Sequence, residues 1–304
     1  MIYNRSTGEF TQEKVYENRA MRFLYNTTFG GLCVLFLRLP IMSRIYGAFQ
    51  KTRRSKVKIV AMIKTYAIDM AGYERCCEKS IGESFEEGCI EAFASGFSSF
   101  NDFIIRKRLH TNYRPENDIL IAPADSCALA YTIDESSMLT IKNRSFTLSR
   151  FLKDEALARE YEGGIFLIFR LRVYDYHRFC FVDDGFVVSC KKVNGFLDSV
   201  NMDATGKIAL SSNYRVISLL RTANFGNIVF AEVGAMLVGR IVQTHCGVDF
   251  CKGDEKGYFE FGGSSIVMIL RKDAARIDAD IMAHSANGIE TKVELGERIG
   301  MKHA

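Results

Sequence analysis

Residues 257–265 read Gly-Tyr-Phe-Glu-Phe-Gly-Gly-Ser-Ser, and no other stretch constrains the chain as tightly. An alternating apolar segment precedes the glycine pair, and the unbroken run Ile266-Val267-Met268-Ile269-Leu270 follows the serines. The spacing predicts a tight kink at Gly263-Ser264 between two buried strands, because glycine opens backbone conformations closed to other residues. Taken alone, a glycine bulge in a strand accounts for the pattern. It also has a chemical reading. A serine hydroxyl beside such a bond can attack the carbonyl on its own N-terminal side.

At 304 residues the chain can bury a sizeable core in one or two domains, and its 48% hydrophobic and 25% charged residues fit a soluble or peripheral globular protein. Residues 11–27 and 55–79 read as helices, and 85–106 as one or two short ones. The segment 29–50 is apolar and basic, with a break at Pro40. After Pro115 the texture changes to short β-branched and aromatic runs between turn residues, among them 119–121, 128–133, 164–172, 179–182, 185–193, 208–210, 214–220, 228–233, 235–242 and 265–270. Asp183-Asp184-Gly185 predicts a turn between two strands, and 147–161 one helix capped by Thr147. The expected class is α+β, with a helical, basic region over 1–80 on a mainly antiparallel β domain over 81–304.

The nine cysteines are odd in number and scattered, without the paired spacings of a zinc site, so free thiols in a reducing compartment are expected and no metal. Between Asn18 and Ile68 there are ten basic residues and no acidic one. Aromatic and apolar residues dominate between those charges, which argues against nucleic acid. The run Phe29–Leu37 ends at Arg38, too short to span a bilayer. Apolar runs with flanking cations suit an interfacial segment on anionic lipid, so the expected location is peripheral, on the cytoplasmic face of the cell membrane.

Lys252-Gly253-Asp254-Glu255-Lys256-Gly257-Tyr258-Phe259-Glu260-Phe261-Gly262-Gly263-Ser264-Ser265 closely resembles the self-processing segment of the phosphatidylserine decarboxylase proenzymes. Phe97-Ser98-Ser99-Phe100-Asn101-Asp102-Phe103 with Arg106 and Arg114-Pro115, then Ala122-Pro123-Ala124-Asp125, Asp175-Tyr176-His177-Arg178, Val233-Gly234-Ala235 and Val238-Gly239 resemble further motifs of that family, in the same order. The ordered set spans roughly residues 93–300.

The resemblance implies an enzyme that makes its cofactor from its own backbone. Ser264 would attack the Gly263 carbonyl to form an ester. Elimination and hydrolysis would then leave a β chain of residues 1–263 and an α chain of 264–304 that opens with a pyruvoyl group derived from Ser264. Decarboxylating an amino acid needs an electron sink, which a ketone condensed with the substrate amine provides. The implied substrate is phosphatidylserine, the products phosphatidylethanolamine and CO2, and the catalytic residues Ser264, His177 and Asp125. His177 would handle protons at the substrate's α-carbon.

The chain departs from the family pattern at Cys180, where a second histidine commonly joins aspartate and serine in a self-cleavage triad. A thiol is a poorer base than imidazole near neutrality unless its pKa falls from ~8.5. His177 is the first choice for activating Ser264, and His245 or Cys180 the substitutes. Tyr214 stands where an acid is more usual, and Ser126 follows Asp125 where glycine is usual. Two other functions fit: a pyruvoyl-dependent decarboxylase of a different amino-acid headgroup or amine, and a lipid-binding relative that never self-cleaves. The sequence leaves the oligomeric state open, a homodimer among the options.

Overall fold

The computed structural model describes residues 1–13, 40–70, 72–74, 87–109, 116–141, 144–197, 209–235, 240–260 and 264–303. Most of the expected helix over 11–27, the run 29–39, the end of the 55–79 helix, Arg114-Pro115 and Val238-Gly239 lie outside the described residues.

The unbroken apolar runs form the middle of one ten-stranded sheet. Its order is Asp249–Phe250, Gly185–Val193, Arg215–Thr222, Gly226–Val233, Ser264–Leu270, Ile165–Leu171, Ser126–Thr132, Glu290–Val293, Ile2–Asn4 and Glu9–Thr11. Every pair is antiparallel except Ile2–Asn4 against Glu290–Val293. Successive side chains of a strand point to opposite faces. In Ser264–Leu270, Ile266, Met268 and Leu270 therefore join Phe169, Phe230 and Phe259 in one core. Val267 and Ile269 join Ile168, Val229 and Phe151 in the other. A strand buried on both faces needs apolar residues at every position, hence its run rather than an alternation.

The first core is closed by the helices Val57–Tyr66, Glu87–Ser95 and Phe100–Ile104 and by a three-stranded sheet in the order Arg240–Gln243, Glu255–Glu260 and Arg178–Cys180. Asp183-Asp184-Gly185 is therefore no hairpin turn: its flanking strands enter different sheets. The helix expected over 55–79 ends at Tyr66, where Ala67 takes a left-handed conformation with φ of 48°. The 147–161 segment is two helices, Leu148–Leu152 and Glu155–Arg159, separated at Lys153 with φ of 53°. Thr147 does cap the first, accepting a hydrogen bond from the Arg150 N–H at 3.4 Å. Ala209 and Leu210, expected in the strand 208–210, instead belong to a 3-10 turn over Ala209–Ser211. Arg215, in the motif that departs from the family pattern, is buried and donates to the carbonyls of Arg150, Phe151, Ser211 and Asn213, so it serves as a clamp on the end of the 148–152 helix. Burial lowers its guanidinium pKa to about 10.

The class is α+β, with helices concentrated toward the N-terminal part. The N-terminal residues are not all helical, however. Ile2–Asn4 and Glu9–Thr11 extend the main sheet.

Candidate active site

Three neighbouring central strands bring the expected residues to one end of the sheet. Ser264 opens its strand opposite Leu171, the last residue of Ile165–Leu171. On the other side of that strand, Cys127 pairs with Arg170, so Asp125 lies just before the start of Ser126–Thr132 at the same end. The chain leaving Leu171 makes a tight turn and delivers His177 six residues later.

That turn is built by Asp175. Its carboxylate accepts the Arg172 backbone N–H at 2.7 Å and the Arg172 guanidinium at 2.7 Å, an ion pair almost out of solvent. His177 follows, 0% exposed. Its Nδ1 lies 2.9 Å from the Asp175 carbonyl, which can only accept, so the ring is assigned as Nδ1–H. In the neutral ring that leaves Nε2 with the lone pair. The His177 carbonyl accepts the Phe259 N–H at 3.0 Å, which ties the histidine to the strand that leads to Ser264.

Ser264 is 0% exposed, and among the described residues its Oγ has no hydrogen-bond partner. A buried hydroxyl left unmet costs roughly 1–3 kcal/mol, a strain that a packing serine would be expected to relieve. Gly263, the other half of the expected cleavage site, lies outside the described residues.

Asp125 is held from two sides. The Arg108 guanidinium donates to both carboxylate oxygens, at 3.2 and 2.6 Å, and the Leu295 N–H donates to Oδ1 at 2.8 Å. Arg108 in turn lies over the Tyr176 ring at 4.6 Å, next to His177. The sequence reading missed Arg108, which sits in no periodic segment and gave no signal.

The two substitute bases are placed differently. Cys180 is buried in Arg178–Cys180, its N–H bonded to the Pro123 carbonyl at 2.9 Å. Burial pushes its thiol up to about 12, so no thiolate forms near neutrality. His245 packs edge-on to Phe181 at 5.0 Å, and its backbone N–H reaches the Lys256 carbonyl. Arg240 of the same segment pairs with Glu260, so the chain from 240 to 245 runs away from the 260–264 end. Of the three groups offered for activating Ser264, His177 is bonded through its carbonyl to Phe259 near that end, while Cys180 pairs with Glu255 farther along the same strand.

A second charged pair lies deeper. Glu232 and Lys256 are 0% and 3% exposed and meet at 2.5 Å, and Lys256 also donates to Gln243 Oε1 at 2.8 Å. An acid inside the apolar run Ile228-Val229-Phe230-Ala231-Glu232-Val233 is a sequence signal that the strand assignment passed over. Among the described residues no group of histidines, cysteines and acids is arranged to hold a metal ion.

An unmet nucleophile, a histidine with a fixed tautomer and a clamped carboxylate at one sheet end describe an enzyme site. The family model for phosphatidylserine decarboxylase matches residues 100–301. A phosphatidylserine decarboxylase proenzyme 2 from Clostridium acetobutylicum is 41% identical over 303 residues, covering 98% of this chain and 97% of the relative. Phosphatidylserine decarboxylase proenzymes of Clostridium tetani and Clostridium perfringens are each 38% identical over 99% of this chain, covering 98% and 99% of those relatives. The chain belongs to the phosphatidylserine decarboxylase family, and is an enzyme of the carboxy-lyase class.

Proposed function

We propose that the chain is made as a proenzyme, splits between Gly263 and Ser264, and then decarboxylates phosphatidylserine to phosphatidylethanolamine and CO2 at an anionic membrane surface, with a pyruvoyl group at residue 264. The observation that carries this reading is Ser264: buried, first in its strand, directly after a glycine pair in the sequence, with its Oγ unmet among the described residues. The residues present fit such a group, because position 264 is shielded from water and opens its strand at the sheet end toward which Asp125 and His177 lead. When formed, the group supplies the ketone that amino-acid side chains lack, and with it an electron sink.

His177 transfers protons at the substrate's α-carbon through Nε2, the nitrogen that its bond to the Asp175 carbonyl leaves basic. Asp125, fixed by Arg108 and the Leu295 N–H, supplies a negative charge of set position at the same sheet end. Burial of Ser264 and His177 keeps bulk water away from the reacting groups.

Two features support a lipid substrate. The helix Pro40–Gln50 exposes Ile41, Ile45 and Phe49, four residues apart and so on one stripe. Beside it a cavity of about 750 Å³ is lined by Arg44, Lys51, Lys192 and Arg240 together with Glu260, four residues before Ser264. Lys51 and Arg240 pair with Glu260 at 2.7 and 3.5 Å, so the lining keeps a net positive charge that suits a lipid phosphate, and the apolar stripe suits the acyl layer. The peripheral, cytoplasmic-face location rests on this stripe and on the acid-free basic segment 18–68.

The test is the intact mass of the purified protein. Two chains, 1–263 and 264–304, with the second bearing a blocked N-terminus of pyruvoyl mass, are expected. A single chain of full mass that still turns over phosphatidylserine would sink the reading.

A further inference from the structure

Glu232 lies on the same sheet face as Ser264. The register pairs Val233 with Ser265 and Glu232 with Ile266. Ile266, Met268 and Phe230 share one core, whereas Val267, Val229, Ala231 and Val233 share the other. Alternation therefore puts Glu232 and Ser264 on the first face, as diagonal neighbours across adjacent antiparallel strands. Diagonal neighbours stand ~7–8 Å apart at Cα and less at Cβ, within reach of a glutamate side chain.

Both residues carry an unmet buried oxygen. Glu232 Oε1 holds Lys256, but among the described residues Oε2 has no partner, and neither has Ser264 Oγ. A desolvated carboxylate oxygen is a strong acceptor waiting for a donor, and the hydroxyl two positions along the face is a donor without an acceptor. Lys256 does not depend on Glu232 alone. Its ammonium also has Gln243 Oε1, and it lies over the rings of Phe230 and Phe181 at 5.2 and 5.8 Å. When the carboxylate takes up a proton, the ammonium keeps the Gln243 oxygen and the two ring faces as neutral partners.

We propose that Glu232, with Lys256 as its charge partner, accepts the Ser264 hydroxyl proton in self-cleavage, which leaves His177 to the decarboxylation. The inference rests on the proposed cleavage at Gly263-Ser264. In that step the Oγ lone pair forms a bond to the Gly263 carbonyl carbon while Glu232 Oε2 takes the hydroxyl proton. The C–N bond then breaks, its electron pair stays on the residue-264 nitrogen, and the proton passes from Glu232 to that nitrogen. The result is an ester and a free amine, with Glu232 returned to a carboxylate.

The experiment follows chain splitting of the full-length proenzyme made by cell-free synthesis, read on gels and by intact mass. The parent, Glu232→Gln, Glu232→Gln/Lys256→Met and His177→Ala are compared, with Ser264→Ala as the uncut standard for thermal melting. The double variant removes both charges and so avoids a lone buried ion. It is expected to melt near the uncut standard yet to split on the order of 100-fold more slowly than the parent. His177→Ala is expected to split at near the parent rate. Hydroxylamine, which cuts an accumulated ester, is expected to release no fragment from Glu232→Gln, since the ester never forms. Glu232→Asp keeps the charge and the ion pair in reach, and it is expected to recover part of the rate.

Splitting of the double variant at the parent rate overturns the proposal and makes the pair purely structural. So does arrest in His177→Ala beside normal splitting in Glu232→Gln, and so does hydroxylamine-released fragment from Glu232→Gln. Should the double variant melt far below the standard, Glu232→Asp decides: a rate no better than that of Glu232→Gln overturns the proposal, and a recovered rate upholds it. An uncut parent overturns the cleavage reading itself, and that result is visible in the parent lane alone.

Discussion

The Arg108 guanidinium grips both oxygens of Asp125, at 2.6 and 3.2 Å, and sits 4.6 Å over the ring of Tyr176, the neighbour of His177. One side chain thus links the acid and the histidine of the site. A lysine cannot make that fork or stack as a guanidinium does. Arg108→Lys is expected to lower decarboxylation partially and Arg108→Ala more severely, about 10-fold or beyond, as the loss of a charged hydrogen bond of ~1.5–3 kcal/mol implies. The measurement is kcat and KM on phosphatidylserine in mixed micelles. Parent-like kinetics in Arg108→Ala would show that Asp125 needs no clamp.

Cleavage at residue 264 has its own signature. Ser264→Ala is expected to remain one chain, and the parent's 264–304 fragment to resist N-terminal degradation. A processed Ser264→Ala chain would move the nucleophile to Ser265, the next residue in the buried strand.

Cys180 is expected to be dispensable as a base. Its thiol, pushed up to about 12 by burial, carries no useful thiolate fraction between pH 6 and 9. A time course of splitting for Cys180→Ala should follow the parent, and His245→Ala likewise. A dead Cys180→Ala that is folded by near-UV circular dichroism would restore the cysteine to the mechanism.

The buried thiols also set an alkaline limit on stability. Cys127 and Cys180 both titrate at about 12 in the folded chain, each because burial disfavours the thiolate, against ~8.5 in an unfolded one. Folding therefore binds extra protons between these values, so the stability they contribute is full below pH ~8.5 and is lost as pH rises toward 12. Denaturant midpoints measured on the uncut Ser264→Ala chain should fall from pH 8.5 to 10.5. Adding Cys180→Ala should flatten that fall, and an unchanged slope would contradict the assignment.

Membrane binding should be electrostatic with an apolar anchor. Vesicles containing phosphatidylserine should bind the protein more weakly as salt rises, since the Debye length falls from ~10 Å at 0.1 M to ~3 Å at 1 M. Ile45→Asp/Phe49→Asp should weaken binding at every salt concentration, because both side chains are exposed on the same stripe of the 40–50 helix. Equal binding to neutral and anionic vesicles at low salt would remove the electrostatic part.

The chain's own residues made the centre of the fold legible. The runs at 165–171, 226–233 and 264–270 are strands buried at nearly every position on both faces, which calls for mostly apolar residues, a local property that composition records. Ser264 stood out for a local reason too, a serine at the junction of a glycine pair and such a run. Short strands toward one side of the sheet were not legible. Ile2–Asn4 and Glu290–Val293 come from opposite ends of the chain and are strands only because they pair with each other and with the sheet. Helix ends at Ala67 and Lys153 took left-handed backbone without the glycine that would announce it. The site's charge partners are the furthest from any sequence rule. Arg108 meets Asp125, and Lys256 meets Glu232, through contacts set by how two sheets and a loop pack, and burial then decides that Cys180 keeps its proton. Such pairings depend on distance and desolvation in three dimensions, and neither quantity is carried by the order of residues along the chain.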